Sequence, residues 1–266
     1  MAFPKLVFRR IQAFELTDLP WFPQTLRSAV TDAISFIARI FHAYTPAAPL
    51  LAHTLEAQGE HEVIDLCSGA GAPIDTIRRQ LAPICGQSVR VTLTDKYPHT
   101  SAWARIVDTA GGRVSAEASS VDAANVPSRL RGFRTMFTAF HHFRPAVAEQ
   151  ILKDAANRRS GIAIFEYTNR NLLRWIFPTL MTPPTLLLIT PFIRPFSLAR
   201  LFWTYIIPII PLAVTWDCFI SGLRTYLPEE LEAMARRADN THTMWEVGIT
   251  GKGVTYLIGR PRNERL

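Results

Sequence analysis

Lysine, cysteine and charge in general are scarce in this 266-residue sequence. The three cysteines, Cys67, Cys85 and Cys218, are too few and too far apart for a disulfide framework or a cysteine zinc site. They are therefore expected to be reduced thiols of a cytoplasmic protein. Charged residues make up 19% of the chain and hydrophobic residues 48%, a balance that excludes an intrinsically disordered protein.

Arginine supplies most of the basic charge, since only four of the 29 basic residues are lysines and the formal net charge is +7. The guanidinium group prefers planar anions such as phosphate and carboxylate. Nucleic acid and anionic membrane are both partners that this composition allows. The group Arg129, Arg131 and Arg134 is short, which predicts a solvated helix end and disfavours nucleic acid.

Acidic residues are absent from residues 171–216, which also contain seven of the 19 prolines. Residues 175–193 and 201–216 are uncharged, and a helix of about 20 such residues spans a bilayer core. Prolines disfavour a span, because each removes a helix hydrogen bond that lipid cannot replace. We expect an apolar helical insert with peripheral or re-entrant membrane contact. A lid over a hydrophobic pocket and a dimer interface remain the alternatives.

The interfacial orientation of the insert would place three arginines at the level of the lipid head groups and three aromatic residues as anchors. The arginines are Arg174, Arg194 and Arg200, and the aromatic residues are Trp175, Trp203 and Tyr205.

Strands alternate with helices from residue 61 onward, which predicts an α/β fold. The fold is a seven-stranded, mostly parallel, doubly wound sheet with a terminal antiparallel hairpin strand. We predict strands at residues 62–66, 89–95, 113–118, 135–140, 161–166, 244–250 and 254–259. A cofactor-binding domain would span 61–170 and 217–260, interrupted by the insert at 171–216.

Residues 1–60 are predicted to form an N-terminal helical preface. An apolar face recurs every three to four residues in its second part, at Leu26, Val30, Ile34, Ile37 and Phe41. This spacing predicts a helix packed on the main domain, with a lid over a cofactor as the alternative.

Glycines follow the first predicted strand, at Gly69 and Gly71. They let the backbone pass close to a ligand at the N-terminus of the next helix. Asp95 ends the second strand, where a carboxylate can accept the hydroxyls of a ribose, and Asp122 follows the third strand, within reach of a purine edge. A dinucleotide fingerprint needs glycine at position 74, and Ile74 disfavours a nicotinamide or flavin site.

This stretch resembles motif I of the class I S-adenosylmethionine-dependent methyltransferases, over a region from about residue 60 to 260. Asp65, Gly69 and Gly71 match the motif, and Cys67 replaces its first glycine. The resemblance implies S-adenosyl-L-methionine as cofactor, with Asp65 and the turn Cys67, Ser68, Gly69 and Gly71 at its methionine part. It also implies Asp95 at the ribose and Val121 with Asp122 at the adenine.

Structural roles remain open for these residues taken singly. Gly69 and Gly71 could form a plain strand-to-helix turn, Asp95 could cap the following helix, and Asp122 could be a turn aspartate.

Candidate catalytic residues follow the fourth and fifth strands. The resemblance implies that strand four opens onto the substrate, so that His141 or His142 could act as a general base near neutral pH. Glu166 follows as a further catalytic candidate, and Tyr167 as a residue of the substrate pocket. Alternatively, one histidine packs in the interior and the other caps a helix. Two histidines are too few for a zinc site, and no metal is expected.

A polar group directly after the insert is the second candidate for the substrate pocket. It contains Asp217, Arg224 and Tyr226. Arg224 could bind an anionic head group or pair with Glu229 or Glu230.

Together these features predict a cytoplasmic S-adenosylmethionine-dependent methyltransferase at the face of a membrane, acting on a small lipophilic or membrane-resident acceptor. The alternatives are a nucleotide-dependent oxidoreductase with a Rossmann domain and a non-catalytic membrane-associated protein that retains the methyltransferase fold.

Overall fold

The computed structural model describes residues 8–84, 89–239 and 241–262, so that Cys85 lies outside the described residues. The chain divides into two compact units. The helical unit comprises residues 1–40 and 168–226, and the sheet unit comprises residues 41–167 and 227–266. The domain boundaries expected at residues 60, 170 and 216 stay a prediction.

Seven strands form one sheet in the order β3-β2-β1-β4-β5-β7-β6. All neighbours pair in parallel except β7, which is antiparallel to both β5 and β6. This confirms the predicted fold class, including the terminal hairpin. The strands are β1 Glu62–Leu66, β2 Arg90–Leu93, β3 Val114–Ala116, β4 Phe133–Phe137, β5 Ile162–Glu166, β6 Thr243–Ile249 and β7 Thr255–Pro261.

The central strands are apolar because helices cover both faces of a parallel sheet. All residues of β4 and β5 are buried. Parallel pairing sets Asp65 of β1 beside Leu93 of β2 and Thr135 of β4. The turns that follow β1, β2, β4 and β5 consequently lie along one edge of the sheet, where such folds bind ligands.

The position of β4 corrects the sequence-based prediction, which placed this strand at residues 135–140. The strand begins at Phe133 and ends at Phe137, because Thr138 has a left-handed backbone with φ 46°. Arg134 is buried within the strand and pairs with Asp154 at 2.8 Å. It is not the solvated helix end that the basic group suggested, since the Asp154 carboxylate compensates its buried charge.

Helices alternate with the strands in the sheet unit, as the sequence predicts. An additional helix, α2, lies within the range predicted as the preface. The helices are α2 Ala47–Gln58, α3 Ala72–Leu81, α4 Thr100–Thr109, α5 Pro145–Asn157 and α9 Pro228–Ala238.

The helical unit contains α1 Gln24–Ile40, α6 Leu172–Ile189, α7 Leu198–Leu201 and α8 Ile209–Arg224. Leu26 and Val30 of α1 are buried in one core with Leu186 of α6 and Val214 of α8. The buried stripe of α1 continues through Ala29 and Ala33, whereas Ile34 and Phe41 of the predicted apolar face are exposed. The small alanines allow the neighbouring helices to approach, which rotates the stripe away from Ile34.

Within the described residues, Arg174–Phe192 is long and apolar enough to cross a membrane, with 28% of the tested window buried. The helical segments Leu198–Ile206 and Ile209–Arg224 qualify only as a pair, and they are bent by 77°. Two of the expected interfacial anchors are instead interior residues. Trp175 is buried and its Nε1 donates to the Cys218 carbonyl, while Arg200 is buried against Asp32 at 2.6 Å. The Trp175 indole nitrogen and the two terminal nitrogens of Arg200 have partners inside the unit, and both side chains face its interior.

Candidate functional site

The turn after β1 has a left-handed backbone at three positions. The values of φ are 56° at Cys67, 53° at Gly69 and 78° at Gly71. Cys67 therefore adopts the conformation that glycine favours, and the replacement noted in the sequence leaves the shape of the turn intact. The Ser68 amide donates to the Thr94 carbonyl at 2.9 Å, which ties the turn to the end of β2. The amides at the N-terminus of α3 follow directly, as an anion-binding or hydroxyl-binding site requires.

Helix α4 supports this turn from behind. A side chain at Gly71 would meet Ile106 Cδ1 at 2.7 Å and displace it, and the positive φ of residue 71 itself favours glycine. The Trp103 indole is buried, and its Nε1 donates to the Gly69 carbonyl at 2.9 Å. Sequence reasoning missed Trp103. An apolar residue on the inner face of an amphipathic helix carries no signal of a polar contact at its ring.

Asp95 joins the end of β2 to the glycine turn. Its Oδ2 accepts from the Gly69 amide at 2.9 Å, and its Oδ1 accepts from the Tyr97 amide at 2.8 Å. Both amides lie in turns outside α4. A helix cap would instead accept from an amide in the first turn of α4, so these bonds do not make Asp95 the cap of that helix. Burial raises the pKa of Asp95, although the Tyr97 and Gly69 amides and the charge of His142 oppose the rise. A carboxylate oxygen has two lone pairs, so each oxygen can accept another hydrogen bond from a ligand hydroxyl.

Val121 contacts Asp95 through its backbone, and Asp122 follows it in the chain. The Val121 amide donates to the Asp95 carbonyl at 2.9 Å, and the Val121 side chain is buried. Asp122 is exposed, and its Oδ1 accepts from the Ala124 amide at 2.8 Å. The Asp122 carboxylate thus shapes the turn after β3, and its role toward an adenine stays a prediction.

Asp65 is a buried carboxyl group inside the same region. Its Oδ1 accepts from Thr135 Oγ1 at 2.7 Å. Burial raises the pKa of Asp65 to about 7, against the hydrogen bonds of Ser68 and Thr135, and the negative charge of Asp95 adds to the rise. The group therefore changes its charge near neutral pH, in contact with the turn that carries Ser68.

His141 and Glu166 form a buried pair at the ends of β4 and β5. His141 Nδ1 lies 2.7 Å from Glu166 Oε2, and both side chains are 1% exposed. The histidines lie in a short 3₁₀ helix, Phe140–His142, and not directly at the strand end. Glu166 Oε1 accepts from the amides of Phe140 and His141. The His142 ring packs on the His141 ring at a centroid distance of 4.4 Å.

The surroundings of Glu166 favour its ionised form. Burial opposes ionisation, but the charge and hydrogen bond of His141, the charge of His142 and the Phe140 amide outweigh it and hold the pKa of Glu166 below its usual value. An ionised Glu166 orients the His141 ring and stabilises its imidazolium form, which is the arrangement of a histidine general base.

Aromatic side chains surround the left-handed residue Thr138. Tyr44 donates its hydroxyl hydrogen to Thr138 Oγ1, and the Tyr167 amide donates to the same oxygen at 3.1 Å. The Tyr44 ring meets the rings of Phe137 and Tyr167 at centroid distances of 5.4 Å and 6.3 Å. Burial raises the pKa of the Tyr44 phenol, so it stays neutral. Tyr44 was missed because it precedes α2, 94 positions before Thr138, and no local pattern marks it.

In the helical unit, the other predicted pocket residues contact the N-terminal segment. Asp217 accepts from the Leu16 amide at 2.6 Å and from Thr17 Oγ1 at 2.9 Å. Burial, with the nearby Glu15 charge, raises the pKa of Asp217 to about 6. The guanidinium of Arg10 lies 4.1 Å from the centroid of the Tyr226 ring.

Arg224 is buried and forms ion pairs with Asp18 at 2.6 Å and Glu15 at 3.2 Å. The sequence suggested Glu229 or Glu230 as its partner. Residues 15–18 reach this end of α8 only through the fold, so they could not be recognised as partners from the sequence. Asp217, Arg224 and Tyr226 thus attach the N-terminal segment to α8, and their role toward a substrate stays a prediction.

Comparison with solved structures identifies the fold. The chain is similar to the plantazolicin methyltransferase BpumL in complex with SAH, with a TM-score of 0.56 and 12% identity, covering 93% of this chain and 94% of that one. The fold is that of the class I methyltransferases. No protein-family model and no curated protein matches the sequence.

Two further structures share the fold with this chain. An O-methyltransferase family protein from Burkholderia thailandensis has a TM-score of 0.50 and 18% identity, covering 83% of this chain and 57% of that one. The S-adenosylmethionine-dependent methyltransferase SibL, in its apo form, has a TM-score of 0.51 and 14% identity, covering 93% of this chain and 61% of that one. The chain therefore spans less than two thirds of the length of these two proteins.

The left-handed backbone at Cys67 predicts an unusual order of stability. Cys67→Gly is expected to be more stable than Cys67→Ala by about 1 kcal/mol, because a Cβ atom costs roughly that much at positive φ. Urea denaturation of both variants measures the difference. Ala38 in helix α1 is the control position. There the variant Ala38→Gly should be less stable than the wild type, which is the ordinary order for a helix. Greater stability of Cys67→Ala would contradict a left-handed residue 67.

The raised pKa of Asp65 predicts a pH dependence of stability. The folded state keeps a proton that the unfolded chain releases, so this contribution is complete below about pH 4 and is lost as the pH rises through about 7. The free energy of unfolding falls by up to about 1.4 kcal/mol per pH unit in this range. Asp65→Asn should lack this component in denaturation curves measured from acid to neutral pH. The exposed-site variant Asp108→Asn should retain it, and parallel profiles for wild type and Asp65→Asn would refute it.

Proposed function

We propose that the protein is an S-adenosylmethionine-dependent methyltransferase that acts on a small lipophilic acceptor. The observation that carries the proposal is the hydrogen bond from the Gly69 amide to the Asp95 carboxylate, at the ligand-binding edge of a class I methyltransferase fold. That bond unites the glycine turn and the acidic residue, for which the resemblance to motif I implies contacts with the cofactor. The fold is shared with proteins named as methyltransferases, one of them in complex with SAH.

The residues present fit this cofactor. Gly69 and Gly71 add no side chains to the left-handed turn, so the methionine part could approach its backbone closely. Asp95 retains acceptor capacity for ribose hydroxyls, and Val121 offers a buried apolar contact for the adenine. When bound, S-adenosylmethionine supplies a methyl group on a positively charged sulfur.

The histidine pair would prepare the acceptor. His141 would take a proton from the acceptor atom, and Glu166 would hold the imidazole through Nδ1 and stabilise its charged form. His142, which packs on the same ring, is the alternative base. Alignment of the acceptor and exclusion of water supply the remainder of the rate enhancement in such a displacement.

A lipophilic acceptor is supported by apolar side chains in both units. The buried rings of Tyr44 and Phe137 and the exposed ring of Tyr167 lie around Thr138, one residue beyond β4. In the helical unit, residues 171–216 carry many exposed apolar side chains and no acidic residue. We propose that this segment makes peripheral or re-entrant contact with the cytoplasmic face of a membrane, where a lipophilic acceptor would accumulate.

Cofactor binding separates this proposal from an oxidoreductase. Isothermal titration calorimetry should detect binding of S-adenosylhomocysteine and none of NAD(H). Asp95→Ala should weaken S-adenosylhomocysteine binding at least tenfold, because a charge-assisted hydrogen bond contributes about 1.5–3 kcal/mol. Asp108→Ala, which changes an exposed aspartate on α4, is the matched control and should bind normally. Unchanged affinity of Asp95→Ala, or preferential binding of NAD(H), would overturn the assignment.

Turnover separates an enzyme from a non-catalytic protein with the same fold. Labelled methyl groups should pass from S-adenosylmethionine to molecules extractable from a membrane lipid preparation. His141→Gln should lower the rate at least a hundredfold, as removal of a general base does, while S-adenosylhomocysteine binding persists. His53→Gln alters an exposed histidine of α2 and should leave the rate unchanged. A rate of His141→Gln equal to that of the wild type would remove the assigned base, and absence of transfer in the wild type would favour the non-catalytic alternative.

A further inference from the structure

One end of the helical unit is built from residues 187–212, which we call the tip. Helices α6 and α8 run side by side in opposite directions. Trp175 at the start of α6 bonds to Cys218 in the second half of α8, while Leu187 near the end of α6 accepts from the Tyr205 hydroxyl. The chain between them turns through Thr190–Phe192, α7 and Phe202–Ile206. The tip is therefore the closed end of a helical hairpin.

Apolar side chains on the outside of the tip are unusually exposed. Ile206, Leu188 and Leu198 are 70%, 73% and 75% exposed, although each could have been buried in a unit of this size. The others that are exposed are Leu187, Phe192, Phe196, Phe202, Tyr205, Ile207 and Leu212. Ten large apolar side chains in 26 consecutive residues form a concentrated patch, of the kind that marks a binding surface and not ordinary surface variation.

The tip is nevertheless anchored from inside. Ile193 and Ile210 are buried in the core with Val30 of α1. The Arg200 guanidinium donates to Asp32 at 2.6 Å and to the carbonyls of Ile193 and Pro195 at 3.1 Å and 3.0 Å. The exposed side chains are thus held outward on a packed support, so their exposure follows from the fold and not from loose packing.

Charge on and beside the tip has one sign. Residues 187–212 contain no aspartate or glutamate, and the charge of Arg200 is compensated by Asp32. Arg194 is exposed on the tip, and Arg39 is exposed at the end of α1, about 10 Å along the helix from Asp32. Apolar side chains flanked by exposed arginines complement a surface that is apolar within and negative at its rim.

The opposite end of the hairpin argues against a transmembrane orientation. Asp217 and Arg224 of α8 lie there with Glu15 and Asp18 of the N-terminal segment. Four ionisable groups in the hydrocarbon region would be costly, whereas an interfacial orientation leaves them outside the lipid. The 77° bend between the segments around residue 207 is likewise unsuited to a straight span.

We propose that the tip inserts into one leaflet of an anionic bilayer, with its apolar side chains among the acyl chains and with Arg194 and Arg39 at the phosphate groups. The proposal of membrane insertion rests on the proposed function in one respect, which is that the enzyme would reach a lipophilic acceptor through this surface. A second copy of the chain fits less well. Pairing of identical tips would bring exposed arginines together with no acidic residue of the tip to compensate them.

Vesicle flotation with the full chain tests the proposal. The wild type should float with phosphatidylcholine vesicles that contain phosphatidylglycerol, and less with phosphatidylcholine alone. Leu198→Asn combined with Ile206→Asn should reduce partitioning about tenfold for each side chain, since each loses the free energy of apolar burial. Met244→Asn combined with Ile249→Asn is the matched control, because it changes two exposed apolar residues of the sheet unit and should float normally.

A second pair of variants tests the charge component. Arg194→Gln should reduce binding to anionic vesicles about fivefold, since a basic residue near such a surface contributes about 1 kcal/mol. Arg131→Gln removes the same charge from an exposed site in the sheet unit and should have no such effect. Equal losses for Arg194→Gln and Arg131→Gln would leave only net charge as the cause and would overturn the assigned orientation.

Sedimentation and calorimetry separate the remaining outcomes. A wild-type dimer that Leu198→Asn with Ile206→Asn converts to a monomer, without vesicle binding, would identify the tip as a subunit interface and overturn the proposal. Failure to float with intact binding of S-adenosylhomocysteine rejects the membrane surface alone. Flotation that depends on the tip, without S-adenosylhomocysteine binding, rejects the proposed function and leaves the membrane surface standing.

Discussion

The hydrogen bond between the Gly69 amide and the Asp95 carboxylate is the contact around which the sheet edge is organised. It closes the turn after β1 against the end of β2, while the Ser68 amide binds the Thr94 carbonyl beside it. The Val121 amide then attaches the turn after β3 to the Asp95 carbonyl. Three loops that are remote in sequence thus meet at Asp95 and its neighbour Thr94. The acidic residue therefore arranges the loops in addition to any contact that it makes with a ligand.

Two buried carboxyl groups of the sheet unit have opposite pKa shifts, because their neighbours differ. Asp65 has hydroxyl partners and a nearby negative charge, so its pKa rises to about 7. Glu166 is equally buried, yet the neighbouring histidines lower its pKa. One group changes its charge near neutral pH and the other is ionised there, at the same edge of the sheet. Such a division of protonation states between neighbouring sites is a common property of enzyme active sites.

Sequence periodicity predicted the fold well because the strands of a buried parallel sheet are apolar runs, separated at regular intervals by turns. The glycine turn, Asp95 and the pair of histidines with Glu166 were likewise visible, since each follows a predicted strand. The misplacement of β4 has a specific cause. Phe140 extends the apolar run beyond Phe137, and a left-handed threonine leaves no mark in a hydrophobic pattern.

Contacts between distant segments could not be predicted in the same way. Tyr44 meets Thr138, and Arg224 meets Glu15 and Asp18, across 94 and more than 200 positions. Nothing in the local composition distinguishes Tyr44 from a surface aromatic residue or Arg224 from a helix-end arginine. Long-range polar partners depend on the packing of whole elements, which a single sequence specifies only through its fold.

The support of the glycine turn by Trp103 has a consequence for variation in this protein. The indole binds the Gly69 carbonyl from the side that faces α4, and Ile106 of the same helix packs behind Gly71. Residues of α4 therefore set the position of a backbone loop while remaining behind it. Changes in that helix would therefore move the loop without any change in the loop's own sequence.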